Sequence, residues 1–274
     1  MNSKVILYSI IAHEYPESLK DMCENISYFT PYEHKIIVNV SPTIYDSVIK
    51  ETKSMNNVFI NPNAIFKKKM NSILWKSHVN NFNYSVNKLD LTFDLFIMMA
   101  SNCLMIKPIN LDKVKKIRLE NIDKPKYIFK NNDNSTLNKW AHGEKLHKNI
   151  KLIKKFNELK IKILHHQHEG LIIEKYMFSI IIKFQQKHKL LSLIETELPF
   201  EEIIPVSLYV YLSGGFLNKC ICKIFWRQNT IYLEQLNEFI SYDNTYYFVK
   251  RVDRNPNDFI RKYIRKINNN YKLL

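Results

Sequence analysis

Two short segments in the last third of the chain carry residue types suited to group transfer. Glu197-Leu-Pro-Phe-Glu-Glu-Ile-Ile-Pro-Val-Ser207 sets a carboxylate pair, Glu201 and Glu202, among apolar side chains. A carboxyl group desolvated beside Phe200, Ile203 and Ile204 gains affinity for protons, which suits a base that takes a proton from an acceptor hydroxyl. Phe248-Val-Lys-Arg-Val-Asp-Arg254 supplies Lys250, Arg251 and Arg254, and Arg227 lies upstream after Phe225-Trp. Converging cations can neutralise a departing diphosphate without a metal. Each segment also has a plain structural reading. Acidic residues at a helix start are favoured by about 0.3 to 1 kcal/mol through the dipole, and a charge run is commonly a solvated strand end.

The composition bounds what these segments can belong to. A chain of 274 residues with 46% hydrophobic content can bury a full core, as one domain or two closely joined halves. Only four glycines are present, and neither GxGxxG nor GxxxxGK[ST] occurs, so a glycine-rich phosphate loop is disfavoured. The net charge of +15 attracts polyanions, anionic lipid surfaces or phosphorylated substrates. A basic protein that binds nucleic acid or glycan without catalysis is therefore the competing class. Against it, the cations are scattered through an α/β pattern and no nucleic-acid-binding motif is present, so no nucleic-acid partner is expected.

Cys23, Cys103, Cys220 and Cys222 lack CxxC spacing and read as reduced structural thiols. The N-terminal apolar run is too short for a membrane span and has no small-residue cleavage site, which gives the expectation of a cytoplasmic chain.

Positioning of the chemistry falls to alternating strands and helices. Apolar runs at Val5 to Ala12, Ile36 to Val40, Val58 to Ile60 and Phe93 to Met99 predict strands. Helical spacing predicts helices over Pro16 to Tyr28 and Met70 to Asn87. The expected fold is therefore α/β, a Rossmann-like, mainly parallel sheet flanked by helices. Ligands of such sheets bind beyond the carboxyl ends of the strands, which makes His13-Glu14, Ser41-Pro42 and Ser101-Asn102-Cys103 the cleft-lining segments. Residues 110–160 are polar and lysine-rich and read as a surface excursion. Further on, the pattern predicts a strand at Ile161 to Leu164, helices over Glu174 to His188 and Phe200 to Leu212, and a cap at Ser213-Gly-Gly215. Pro205 is placed in the first turn of the second of these helices. Ile221 to Phe225 and Thr230 to Leu233 read as strands, and Phe259 to Ile267 as a basic amphipathic helix that can pack on the core or meet a membrane surface.

Metal ligation finds little support in the sequence. The segment after the central strand is Ala100-Ser-Asn-Cys103, with no carboxylate for a hard cation. Glu195 and Glu197 could chelate, although an exposed loop is the simpler reading. His165, His166 and His168 lack a complete zinc ligand set. No metal and no other cofactor is expected. Glu169-Gly170 fits a substrate contact, with a glycine that permits close approach and a carboxylate that accepts sugar hydroxyl hydrogens, although an ordinary turn reads equally well.

In order and spacing, these segments resemble the core-2/I-branching β-1,6-N-acetylglucosaminyltransferase family, bacterial members included. The similarity runs from Val5 to about Asp253. It is carried by Ile10-Ile-Ala-His-Glu14, Ile36-Ile-Val-Asn-Val40, Trp75 with Val79, Phe93 to Asn102, Glu169-Gly170, the Glu-Glu pair with Ser207 where the family usually has threonine, and Phe248 to Asp253. The resemblance implies a metal-independent GT-A type fold and an inverting enzyme. It would move a sugar, N-acetylglucosamine or a related hexose, from a nucleotide diphosphate donor to an oligosaccharide or lipid-linked glycan acceptor. A metal-dependent glycosyltransferase is the alternative.

It further implies Glu202 as the base and Arg227 with Lys250 as diphosphate ligands, with Arg251 and Arg254 as helpers by proximity. The nucleoside would rest against His13, Glu14, Ser41, Ser101 and Asn102, and the acceptor against Glu169, Gly170 and Glu201. The chain departs from the family at Ser41 and Leu104, where aspartates are common. The expected layout is a single domain over 1–274. It comprises a nucleotide-sugar-binding half at 1–109, the excursion at 110–160, an acceptor and catalytic half at 161–255, and a basic helix at 256–274 that could touch the inner face of a membrane.

Overall fold

The structure, a computed structural model, describes residues 4–63, 72–116, 126–127, 143–193, 199–215, 220–225, 228–241 and 246–272. Strand β1 (Ile6–Ala12) is buried along its whole length, and Pro16 then opens helix α1 (Pro16–Phe29), where its missing N–H costs nothing. β2 (His34–Val40), α2 (Tyr45–Thr52), β3 (Val58–Asn61), α3 (Ser72–Asn87) and β4 (Leu95–Ala100) complete the first half. Then come β5 (Cys103–Met105), α4 (Leu111–Lys116), β6 (Lys126–Tyr127), α5 (Gly143–Lys148), α6 (Ile150–Glu158), β7 (Leu164–His165), β8 (Ile172–Glu174), α7 (Lys175–Lys187) and α8 (Phe200–Ser213). The last elements are β9 (Cys222–Ile224), α9 (Leu233–Ser241), β10 (Phe248–Lys250) and α10 (Phe259–Ile267).

The main sheet has the order β3-β2-β1-β4-β8, with the first four strands parallel and β8 antiparallel to β4. A smaller sheet, β5-β10-β9, extends from the carboxyl end of β4 and brings Lys250 opposite Cys103. β6 and β7 form a separate antiparallel pair.

Strand periodicity divides the core in two. Tyr8 and Ile10 join one apolar cluster with α1, α10 and the small sheet, while Leu7 joins the other with α3, α7 and α8. The expected α/β class with a mainly parallel, helix-flanked sheet is what the chain forms.

Several elements differ from their sequence reading. The stretch 110–160 is not wholly a surface excursion, because α5 and α6 fully bury Leu146, Leu152 and Phe156 in the second cluster. Thr230 to Leu233 forms no strand; Leu233 opens α9, whose Leu236 is buried. Pro205 stands sixth in α8 rather than in its first turn, where it has no N–H to return to the Glu201 carbonyl. The predicted glycine cap of α8 is present, with Gly214 at φ 66° and its N–H bonded to the Val210 carbonyl at 3.1 Å.

In α10, Ile260 and Ile264 pack on the core and Arg261 is buried against Asp21 at 2.6 Å, while Phe259 and Ile267 stay 63% and 46% exposed. Among the described residues, no helix is long and apolar enough to cross a membrane.

Candidate active site

The carboxyl ends of β1 and β4 bring four of the expected ligand residues together. Arg254 Nε donates to Ser101 Oγ at 2.9 Å, its Nη1 lies 3.9 Å from Glu14 Oε2, and Glu14 Oε1 lies 3.6 Å from His13 Nε2. The loop carrying Arg254 is pinned by the Ser18 hydroxyl, which donates to the Arg254 carbonyl, and by Val252 N–H on the Asn102 carbonyl at 3.2 Å. Partial burial, followed by the Arg254 charge, lowers the proton affinity of His13 and so favours the neutral ring. Asn102 Oδ1 is buried and has no partner among the described residues.

Ser41 sits apart from this group. It is buried, its hydroxyl bonds Thr43 Oγ1 at 2.9 Å and its N–H bonds the Ala12 carbonyl at 2.9 Å, so its polar groups are used within its own turn.

Between Lys250 and Arg254 the backbone is strained. Arg251 adopts φ 81°, a left-handed conformation that costs a non-glycine residue on the order of 1–3 kcal/mol. Its carbonyl is held by Ile231 N–H at 3.0 Å, and its Nε is buried with no hydrogen-bond partner among the described residues.

Lys250 meets a buried carboxylate. Glu169 is only 2% exposed and ion-pairs with Lys250 Nζ; its Oε1 lies 3.4 Å from His168 Nε2. Burial pushes the Glu169 carboxyl up, but His168 and Lys250 outweigh it and hold the group at about 2. Burial likewise works against the Lys250 charge, and Glu169 reverses this, so Lys250 holds its proton more tightly than usual.

Glu201, on the first turn of α8, meets the opposite environment. It is 3% exposed, its Oε2 lacks a partner among the described residues, and burial raises its proton affinity well above the carboxylate range, with Glu202 and Glu169 adding to the effect. Of the Glu201 and Glu202 pair, Glu201 is therefore the carboxyl that is desolvated. Glu202, about 100° further round the helix, is only half-buried.

The start of α8 is clamped to β7 by His166 N–H on the Glu202 carbonyl at 2.9 Å. Ser207 Oγ adds a second clamp, accepting from Leu164 N–H at 2.9 Å and donating to the Leu164 carbonyl at 3.1 Å.

Gly170 does not open space for a ligand. At φ 78° it packs so closely on β9 that a Cβ there would lie 2.6 Å from both Cys222 N and Cys222 Cβ. Its small size serves the junction of the two sheets. Arg227, Glu195 and Glu197 lie outside the described residues.

Of the histidine segment, His168 meets the buried Glu169, and His166 Nδ1 bonds the Gln167 carbonyl oxygen at 2.8 Å. Among the described residues, no group of three or more histidine, cysteine or acidic side chains is arranged to hold a metal ion.

The sequence reading missed what lies behind His168. The His78 ring, fully buried on α3, sits 5.7 Å from the His168 ring, and its Nδ1 is 2.8 Å from Ser9 Oγ. Ser9 in turn accepts from Asn81 Nδ2 at 3.0 Å. The available signal was a single serine in the apolar run of β1 and a histidine between Trp75 and Phe82 on the buried stripe of α3.

No protein-family model matches the chain, and no curated protein matches it. Among solved structures, it is similar to the apo form of the bifunctional glycosyltransferase WbbM, with 9% identity, a TM-score of 0.39, and coverage of 97% of this chain and 52% of that one. The chain thus spans about half the length of WbbM. It is also similar to an active-site mutant of LgtC (8% identity, TM-score 0.39) and to the galactosyltransferase LgtC in complex with donor and acceptor sugar analogs (10% identity, TM-score 0.38), each covering 97% of both chains.

Proposed function

We propose that the chain is an inverting glycosyltransferase of GT-A type, moving a sugar from a nucleotide diphosphate donor to a carbohydrate acceptor. The observation that carries this reading is Arg254 at the carboxyl ends of β1 and β4, on Ser101 and near Glu14, with Lys250 close by in sequence and ion-paired to the buried Glu169. Donor phosphates would meet these cations, with Arg227 added by its place in the sequence. His13, Glu14, Ser101 and Asn102 line the nucleoside side, and the Ser41 side chain is too committed to contribute.

In the reaction, Glu202 takes the proton of the acceptor hydroxyl while that oxygen attacks the anomeric carbon. The bond from carbon to the diphosphate oxygen breaks, and the diphosphate leaves with the electron pair, its charge met by Lys250 and the arginines. Glu202 suits the base better than Glu201. A base must be ionised and reachable, whereas burial works against the charged form of Glu201 and encloses it. Glu169 and Glu201 instead flank the acceptor side, the first as an anionic hydrogen-bond acceptor and the second as a carboxyl whose burial favours its protonated form.

The reaction is read as metal-independent because Ser101-Asn102-Cys103 offers no carboxylate where a hard cation would need one. The sugar is taken as N-acetylglucosamine or a related hexose, and the acceptor as an oligosaccharide or lipid-linked glycan. The exposed Phe259 and Ile267 beside exposed Lys262 and Lys266 support a peripheral contact of α10 with an anionic membrane surface.

The test is a transfer assay over a panel of nucleotide sugars. Glu202→Gln should keep donor binding and lose turnover by about 10²-fold or more; full turnover in that variant would remove the mechanism.

A further inference from the structure

The four residues that end in Arg254 are each tied down by a hydrogen bond from elsewhere in the chain. The Arg251 carbonyl accepts from Ile231 N–H at 3.0 Å, and Val252 N–H meets the Asn102 carbonyl at 3.2 Å. The Asp253 carbonyl accepts two bonds from Arg261, from Nε at 3.3 Å and from Nη2 at 3.1 Å, and the Arg254 carbonyl accepts from the Ser18 hydroxyl. Residues 251–254 lie outside any helix or strand, so no regular ladder shapes them. With Arg251 at φ 81°, such a segment keeps its conformation only when its surroundings over-determine it.

Arg261 does more here than pair with Asp21. On α10 it is 2% exposed, and its Nη1 donates to Asp21 Oδ2 at 2.6 Å and to the Ser18 carbonyl at 3.2 Å. Asp21 already has a second cation, since Arg265 Nε lies 2.8 Å from its Oδ1. Neutralising Asp21 therefore does not require Arg261, and burying a guanidinium is costly unless its donors are used. Its planar fork of N–H groups serves two partners at once: Nη1 grips α1, while Nε and Nη2 grip the Asp253 carbonyl. Ser18, which accepts from that fork through its carbonyl, donates from its hydroxyl to the next carbonyl along, that of Arg254.

The effect falls on the Arg254 side chain. Its Nε donates to Ser101 Oγ at 2.9 Å beside the carboxyl end of β4, while 27% of the side chain stays exposed. A guanidinium anchored at one nitrogen and still open to solvent can meet an anion with little further loss of rotamer freedom.

We propose that Arg261 is a positioning residue for the donor diphosphate: together with Ser18 it holds the main chain of Asp253 and Arg254, which sets the Arg254 guanidinium on Ser101 at the end of β4. The consequence for binding rests on the reading of Arg254 as a diphosphate ligand; the hold on Arg254 does not.

The experiment uses the full chain with ¹⁵N-labelled arginine and no ligand, the Arg254 Nε–H being assigned through Arg254→Lys. In the parent this N–H should exchange with water about tenfold or more slowly than an exposed arginine. Arg261→Met and Ser18→Ala should each remove most of that protection. An unprotected Arg254 Nε–H in the parent, or protection that survives both substitutions, would overturn the positioning.

Inorganic pyrophosphate is the probe of the site's function. Arg261→Met should weaken its binding about tenfold, the worth of one charge-assisted hydrogen bond, but by less than about twofold when Arg254 is already alanine. Ser18→Ala, which leaves Arg261 and Asp21 in place, should show the same pattern at about threefold, and it decides the matter if Arg261→Met does not fold. Equal losses with and without Arg254 are what a purely structural role predicts, and they would overturn the proposal. A parent chain that does not bind pyrophosphate would count against the donor-site reading instead, with exchange of the Arg254 Nε–H still deciding the hold on Arg254.

Discussion

Replacing each of the two buried carboxylates, Glu169 and Glu201, by its amide should move stability in opposite directions, although burial acts on both. Glu169 is held at about 2 against an ordinary 4.5. Because its folded-state value is depressed, its contribution is present above the ordinary value and is lost as pH falls from about 4.5 towards 2. At about 1.4 kcal/mol per tenfold change, that contribution is on the order of 3 kcal/mol at pH 7. It is not discounted for screening, since Glu169 is 2% exposed and the Lys250 side chain 21%. Glu169→Gln also leaves the Lys250 ammonium without its counter-ion, which belongs to the same class of loss.

Glu201 has the reverse sign. Its folded-state proton affinity is raised, so its stability is fully present below the ordinary carboxylate range and falls as pH climbs, because the folded chain keeps a proton that the unfolded chain releases. Glu201→Gln mimics the protonated acid and removes that penalty. The expected result in urea unfolding is a loss of about 3 kcal/mol for Glu169→Gln at pH 7, with the loss shrinking below pH 4.5. Glu201→Gln should gain stability relative to the parent at pH 7, with the gain fading as pH falls into the ordinary carboxylate range. A neutral Glu169→Gln, or a Glu201→Gln that costs several kcal/mol at pH 7, would refute the assignment of charge.

Three further outcomes follow from the same geometry. Gly170→Ala places a left-handed backbone and a Cβ 2.6 Å from Cys222 in conflict, so unfolding free energy should fall by about 2–4 kcal/mol. Arg261→Met, at a side chain 3% exposed and bonded to Asp21, Ser18 O and Asp253 O, should cost about 3 kcal/mol in the same assay. That is the low end for a broken buried pair, because Arg265 still holds Asp21 at 2.7 Å. Finally, a chelator should leave transfer intact; strict dependence on added manganese would shift attention to Glu195 and Glu197.

The parallel half of the fold was legible because β1, β2 and β4 are buried on both faces and read as continuous apolar runs. β8 and the strands of the small sheet were harder, since a three-residue strand such as Ile172–Glu174 is too short to show alternation. α9 was hidden because its first residue ends the strand-like stretch Thr230 to Leu233, while the helical spacing of Leu233, Leu236 and Ile240 appears only further along.

At the site, residue types were visible and environments were not. Glu201 and Glu202 are equivalent as letters, and the packing against α8 decides which one is stripped of water. Gly170 read as room for a ligand, when its missing side chain makes room for Cys222. The His78 and Ser9 link joins positions 69 residues apart and could not be inferred before α3 was seen lying on β1.

The most direct test of the central claim is thermal unfolding of the full chain against a panel of nucleoside diphosphates and nucleotide sugars, run beside Lys250→Met and Arg254→Ala. A ligand at 100 times its Kd stabilises the folded state by about 2.7 kcal/mol. The account predicts that at least one diphosphate-containing member raises the melting temperature of the parent, and that both variants lose that rise. Stabilisation by none of the panel, or a rise that survives in both variants, would contradict a donor site built on Lys250 and Arg254.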